Sequence, residues 1–330
     1  MKKRKIKKSV IKKFIIIIIL IITTIISINI YKTIQYHKTD EYKLKVIGYK
    51  IEEIEKILKL DIENIEYIKA NEYNNQIYEF LNQKYYIDKN LKTYLEYKKE
   101  HQNIEPKEVV SIVNVGANNE AYTNTKNTEI EKKELMLTNK YNYLDKNYEP
   151  EDVVKISSRY AYEDNKAPKE ILNYYIEMFN AAEKDGIDLI ISSAYRSYKE
   201  QEETYEYYKK IKGEEGIKKY AALPGYSEHQ TGLAFDILTT DTLTDDFDKT
   251  KEFEWLQKNA YKYGFILRYP KGKEKLTGYD YESWHYRYVG KETARKIEEE
   301  KITYDEYYAY YIENRWKNEV PKMLQRNTKR

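Results

Sequence analysis

The chain has 330 residues, enough for two modest domains that each bury a core. It has no cysteine, which excludes disulfides, thiolate metal sites and a cysteine nucleophile, so any metal must be held by His, Asp or Glu. The formal charge is +3, but eight basic and no acidic residues precede residue 14; three minus eight leaves −5 on the remainder, which has no electrostatic reason to bind nucleic acid.

Residues 1–13 read as a basic cytoplasmic flank and 14–30 as a transmembrane anchor, which predicts a single-pass protein of the cell membrane with the rest of the chain extracellular. The aliphatic core Phe14 to Ile22 also suits a signal peptide. Thr, Ser and Asn alternate with Ile over 23–30 and leave no small-x-small cleavage site, so the uncleaved anchor is the favoured reading. From Tyr42 to Lys99 the pattern predicts short amphipathic helices, such as 51–60 and 77–85, interrupted at Asp61 and Asn74-Asn75. Residues 31–115 are therefore read as a helical stalk or small module, and 116–134, rich in Asn, Thr and Glu, as a linker.

A second domain is predicted over 135–310, followed by a C-terminal helix or tail over 311–330. Pro168 fits the first turn of a helix with apolar positions Ile171, Leu172, Tyr175, Met178, Phe179 and Ala182, closed by Gly186. A buried strand follows over 188–193, and Ser197 with Glu200 forms a capping box that opens the next helix. Arg196 then stands at a strand-to-helix turn, from which side chains commonly reach a site. A third helix is predicted over 251–263, ending at Gly264, with strands over 265–269 and 284–289 and a capping box at Thr303 to Glu306. Helices and strands in no strict alternation predict an α+β domain.

The chemistry concentrates in two segments. Pro224-Gly225-Tyr226-Ser227-Glu228-His229-Gln230-Thr231-Gly232-Leu233-Ala234-Phe235-Asp236 is answered by Glu282-Ser283-Trp284-His285. They hold two of the four histidines; His37 and His101 lie in polar surroundings with no carboxylate at ligand spacing. His229 and Asp236 are seven apart with strand-like sequence over 231–237 between them, so a regular strand would send them to opposite faces. Meeting at one metal requires a break, and Gly232 is where it could occur. Glu282 and His285, three apart, would share one space if a single turn preceded the strand. Three protein donors leave a fourth zinc position open to water, the arrangement of catalytic zinc. Such a site also needs a base and proton shuttle, for which Glu282 is the candidate, and Arg196 suits an oxyanion or a substrate carboxylate.

With these segments, Ser193-Ala194-Tyr195-Arg196-Ser197-Tyr198 with Gln201, Trp255-Leu256, Gly264-Phe265-Ile266-Leu267-Arg268-Tyr269-Pro270, Thr277-Gly278-Tyr279 and Tyr286-Arg287-Tyr288-Val289-Gly290 complete a pattern. Over roughly 135–310 it resembles the VanY-type zinc D-alanyl-D-alanine carboxypeptidases, which share a fold with the Hedgehog signalling domain. The resemblance implies a central antiparallel sheet flanked by helices, Zn2+ held by His229, Asp236 and His285, Glu282 as catalytic base and Arg196 stabilising the transition state. Ser193, Gln201 and Ser227 are implied as substrate contacts. Ser283 stands where relatives often have proline. The implied reaction releases the C-terminal D-alanine of a peptidoglycan stem peptide. Alternatives are an L,D-carboxypeptidase or endopeptidase with the same zinc site, or a non-catalytic zinc-containing wall-binding module, which would have no need of both Glu282 and Arg196.

Overall fold

The aliphatic run after Lys13 contains no polar residue before Thr23, and it folds as helix α1 (Lys8–His37) with its apolar side chains exposed. The computed structural model describes residues 8–240 and 244–314; residues 1–7 of the predicted basic flank and 315–330 of the predicted tail lie outside these ranges. Among the described residues α1 is the one helix long and apolar enough to cross a membrane.

The chain divides into two units, Met1–Gln102 and Asn103–Arg330. The first holds α1 and five short helices, α2 (Asp40–Ile47), α3 (Ile51–Ile57), α4 (Ile62–Lys69), α5 (Asn75–Leu81) and α6 (Leu91–Glu100). The two predicted interruptions are caps: Asp61 accepts from the backbone of Asn64 at 2.8 Å to start α4, and Asn74 accepts from Gln76 at 2.9 Å to start α5. Leu44, Ile57, Ile68, Phe80 and Leu91, one from each short helix, are fully buried.

The boundary differs from the one read in the sequence, which ran the stalk to residue 115. Helix α7 (Pro106–Asn114) belongs to the second unit, where Val109, Val110, Ile112 and Val113 are buried and Ser111 Oγ donates to Glu306 Oε1 at 2.9 Å. An amphipathic pattern announces that a helix needs a partner, not which partner. The predicted linker 116–134 is also folded onto this unit: β1 (Lys126–Asn127) pairs with β2 (Asn142–Tyr143), and Thr128 Oγ1 donates to the Leu137 carbonyl at 2.9 Å.

The hairpin β3 (Val153–Lys155) and β4 (Lys166–Pro168) leads into α8 (Lys169–Lys184), whose buried residues are the six apolar positions predicted. Then come β5 (Ile190–Ser193), α9 (Tyr198–Tyr220) behind the Ser197/Glu200 capping box, and β6 (Ala234–Leu238). Helix α10 (Lys251–Asn259) continues as a tighter turn to Gly264, which takes φ +90°. Next are β7 (Phe265–Tyr269), α11 (Glu274–Thr277), β8 (Glu282–Tyr288), α12 (Lys291–Glu300) and α13 (Tyr304–Tyr307).

Strands β5, β6, β8 and β7 form an antiparallel sheet in that order. Phe235, Ile237, Tyr286, Tyr288 and Phe265 join one core with Tyr175 and Phe179 of α8 and Trp255 and Leu256 of α10. Alternation along β6 and β8 sends Asp236, His285 and Arg287 to the opposite face. The architecture is α+β, with a polar, buried patch built into one face of its sheet.

Candidate active site

The backbone register makes the first contact. Asp236 on β6 is paired across the sheet with His285 on β8, and on its other side with Ser193 on β5. Cross-strand neighbours have Cβ atoms only about 4.5–5.5 Å apart, so one carboxylate and one imidazole are held together by sheet pairing itself. His285 Nδ1 lies 3.1 Å from Asp236 Oδ1.

His229 arrives by a different route. Residues Glu228–Thr231 form a single 3₁₀ turn capped by Ser227, whose Oγ accepts from the His229 backbone at 3.3 Å, and Gly232 ends it at φ +72°. Residues 231–237 are therefore not one strand as the sequence suggested; β6 begins only at Ala234, after the break at Gly232. His229 Nδ1 faces the Ala194 carbonyl at 2.7 Å, which leaves Nε2 toward Asp236 Oδ2 at 3.3 Å. One donor atom from each of His229, Asp236 and His285 lies within 4.8 Å of the others, a group able to hold a divalent cation.

The tight fit at Gly232 is testable. A Cβ there would sit 2.6 Å from Pro168 Cγ, at a φ that L residues rarely adopt. Gly232→Ala is expected to cost at least about 2 kcal/mol from left-handed strain and overpacking, read by denaturant unfolding of the metal-free protein.

Glu282 reaches the same space through a bulge rather than the single turn expected. Leu267 of β7 pairs with Tyr286 but Tyr269 pairs with Glu282, so β8 carries two extra residues opposite β7 within 283–285. Strict alternation is lost at this irregularity, and Glu282 Oε2 stands 3.6 Å from His285 Nδ1. Ser283 is buried inside it. Arg196, at the turn from β5 into α9, donates from Nη1 to Gln201 Oε1 at 2.8 Å and from Nη2 to Ser193 Oγ at 2.9 Å. Gln201 in turn donates to the Ala222 carbonyl at 2.8 Å. Ser193 and Gln201 thus hold the guanidinium, and Ser227 holds the histidine turn. Arg196, Glu282, Asp236 and both histidines line one cleft, walled by Tyr208, Tyr279 and Trp284. His37 and His101 lie outside it, each stacked on a tyrosine of the first unit.

Burial opposes charge on the two carboxyls and two imidazoles here, and the neighbours outweigh it at Asp236 and His285 but not at His229 and Glu282. For Asp236 the two imidazoles overcome burial and hold the carboxyl below its usual range. For His229 burial prevails and lowers the pKa, despite Asp236. For His285 burial is outweighed by hydrogen bonds and charge from Asp236, Glu228 and Glu282, which raise the pKa to about 9. Burial raises Glu282 to about 7, opposed by His285 and reinforced by Asp236 and Glu228. A metal must displace the proton that His285 prefers to hold. Between pH 7 and 9 the apparent affinity for a divalent cation is expected to rise about tenfold per pH unit, one proton leaving per ion bound, as measured by calorimetry in buffers of different ionisation enthalpy.

The sequence reading gave no role to Glu228 or Arg268. Glu228 is buried behind His285, 3.5 Å from its Nε2, and Arg268 Nε donates to Glu228 Oε1 at 2.7 Å. An arginine inside the apolar strand 265–269 was the available signal.

A buried three-donor cation site with a carboxylate and a fixed guanidinium beside it, set on a four-stranded α+β sheet, has the layout of the mononuclear metallohydrolases. The VanY family, described as D-alanyl-D-alanine carboxypeptidase, matches residues 164–291. The chain is 35% identical over 181 residues to the bifunctional D-Ala-D-Ala dipeptidase and D-Ala-D-Ala carboxypeptidase VanXYC of Enterococcus gallinarum, covering 53% of this chain and 94% of that one. It is 44% identical over 181 residues to the putative carboxypeptidase YodJ of Bacillus subtilis (strain 168), where the match spans 53% of this chain and 66% of the relative. Among solved structures, the LdcB LD-carboxypeptidase superposes with a TM-score of 0.53 at 40% identity, covering 57% of this chain and 91% of that one. The chain belongs to the VanY family.

Proposed function

We propose that this protein is a zinc carboxypeptidase that hydrolyses the C-terminal D-alanyl-D-alanine bond of peptidoglycan stem peptides, held in the cell membrane by α1 with its second unit outside the cell. The observation that carries the reading is the convergence of His229, Asp236, His285, Glu282 and Arg196 on one cleft in a VanY-family chain. Two imidazoles and a carboxylate, with no thiolate, make a donor set suited to catalytic zinc. Zinc held there would supply Lewis acidity, activating water and polarising the scissile carbonyl.

The protein's own groups do the rest. Glu282, with a pKa raised to about 7, is suited to accept a proton from the attacking water and return it to the leaving amine near neutral pH. Arg196 is a permanent cation aimed by two hydrogen bonds, suited to the oxyanion that develops on the substrate carbonyl or to the peptide's terminal carboxylate. Ser193 and Gln201 serve this reading by orienting Arg196, and Ser227 by fixing the turn that carries His229. The exposed aliphatic surface of α1, preceded by a basic flank, supports anchorage with the second unit outside.

The likeness to the LdcB LD-carboxypeptidase supports a second reading, cleavage of the tetrapeptide stem by the same zinc machinery. The test is to incubate the detergent-solubilised full chain, zinc-loaded, with defined pentapeptide and tetrapeptide stems and to weigh the products. Release of one D-alanine from the pentapeptide is the expected result. Release from the tetrapeptide alone would replace the first reading with the second, and no release from either would remove both.

A further inference from the structure

Behind His285 the fold buries four charged side chains that the proposed chemistry does not use. Arg268 and Arg287 are fully buried, and Glu228 and Asp305 are 2% and 3% exposed. Arg268 joins the two carboxylates: its Nε donates to Glu228 Oε1 at 2.7 Å, and its Nη1 and Nη2 donate to Asp305 at 2.5 and 3.2 Å. Arg287 Nη1 approaches the same Glu228 oxygen at 3.3 Å. Asp305 is further held by Asn139 Nδ2 at 2.9 Å. The charges balance, two against two, but burying ion pairs is seldom better for stability than well-packed apolar side chains of similar volume. The arrangement calls for another purpose.

That purpose is visible in Glu228's second oxygen. Oε1 is anchored by arginine, while Oε2 points at His285 Nε2, 3.5 Å away, and both atoms are sealed from solvent without a hydrogen-bond partner among the described residues. They are an acceptor and a potential donor that face each other at the outer limit of hydrogen-bond distance. A carboxylate facing Nε2 keeps the hydrogen on that nitrogen, fixes the plane of the ring and leaves the Nδ1 lone pair aimed at the space beside Asp236.

We propose that Glu228 is a positioning residue for the metal-binding nitrogen of His285, and that Arg268 extends this support to Asp305 on α13. The segment after the family match, which ends at residue 291, thereby takes part in the metal centre without touching it. The proposal rests on the zinc reading of the site.

Glu228→Gln keeps the shape and removes the charge. Its zinc affinity, measured by competition with a chromophoric chelator, is expected to fall about 10–100-fold, with the cobalt-substituted protein showing shifted d–d bands. Asp305→Asn leaves the Glu228–His285 contact in place and is expected to give a smaller loss in the same direction. A purely structural role would lower the melting temperature of the metal-free protein and leave metal affinity alone, so Glu228→Gln within twofold of the parent in zinc affinity overturns the proposal. If that variant does not fold, ¹H–¹⁵N correlation spectra of the zinc-loaded parent decide. A hydrogen on His285 Nε2 with Nδ1 metal-bound supports the proposal, and a hydrogen on Nδ1 overturns it. A parent protein that binds no zinc would instead refute the underlying metal reading.

Discussion

Glu282→Gln is expected to lower kcat on a D-alanyl-D-alanine stem peptide by about 10²–10⁴-fold while zinc still binds at one equivalent. The substitution preserves volume and hydrogen-bonding reach but removes the carboxylate proposed to take up and return a proton. Retention of metal follows from geometry: Asp236 and the two histidines are set by sheet pairing and by the turn before Gly232, neither of which uses the Glu282 side chain. Removing a carboxylate 3.6 Å from His285 also lowers that imidazole's preference for its proton, so zinc affinity at pH 7 is expected to hold steady or rise slightly. Steady-state kinetics alongside metal analysis separates the effects. Full activity in Glu282→Gln would refute the assigned base, and loss of zinc would show that Glu282 belongs to the metal's own donor set.

Much of the fold was legible because its signals are local. The six apolar positions of α8 recur at helical spacing and are its six buried residues. Ser197 with Glu200 and Thr303 with Glu306 form the capping boxes their spacing announces, and Gly264 takes the positive φ that a helix end invites. The requirement for a break at Gly232 was also legible, since an odd separation cannot place His229 and Asp236 together on a regular strand. Long-range register was not. Nothing in the local sequence states that Asp236 lies opposite His285, or that β8 breaks its register with β7 within 283–285, where Glu282 comes within 3.6 Å of His285. Glu228 was hidden for a related reason: its significance depends on Arg268 and Arg287 from two strands and Asp305 from a helix.

Asp236→Ala is expected to weaken zinc binding by about 10²–10⁴-fold and to leave no measurable hydrolysis at micromolar zinc. The magnitude takes one donor of three as roughly a third of the about 10–16 kcal/mol by which structural zinc binds, or about 3–5 kcal/mol. The sheet should survive, because β6 keeps its backbone pairing and its core residues Phe235 and Ile237. A second consequence tests the electrostatics independently of zinc. In the metal-free parent, His285 has a folded-state pKa near 9, above its ordinary 6.5, so it contributes stability that is fully present below about 6.5 and is lost as pH rises toward 9. Asp236, held below its ordinary 3.8, contributes stability present above that value and lost as pH falls through its depressed folded-state pKa. Removing Asp236 takes away a main cause of the first shift and all of the second. Chelator-stripped Asp236→Ala should therefore show a flatter denaturation midpoint against pH at both ends than the parent. An unchanged fall in stability between pH 6.5 and 9 would mean that Glu228 and Glu282, not Asp236, hold the proton on His285.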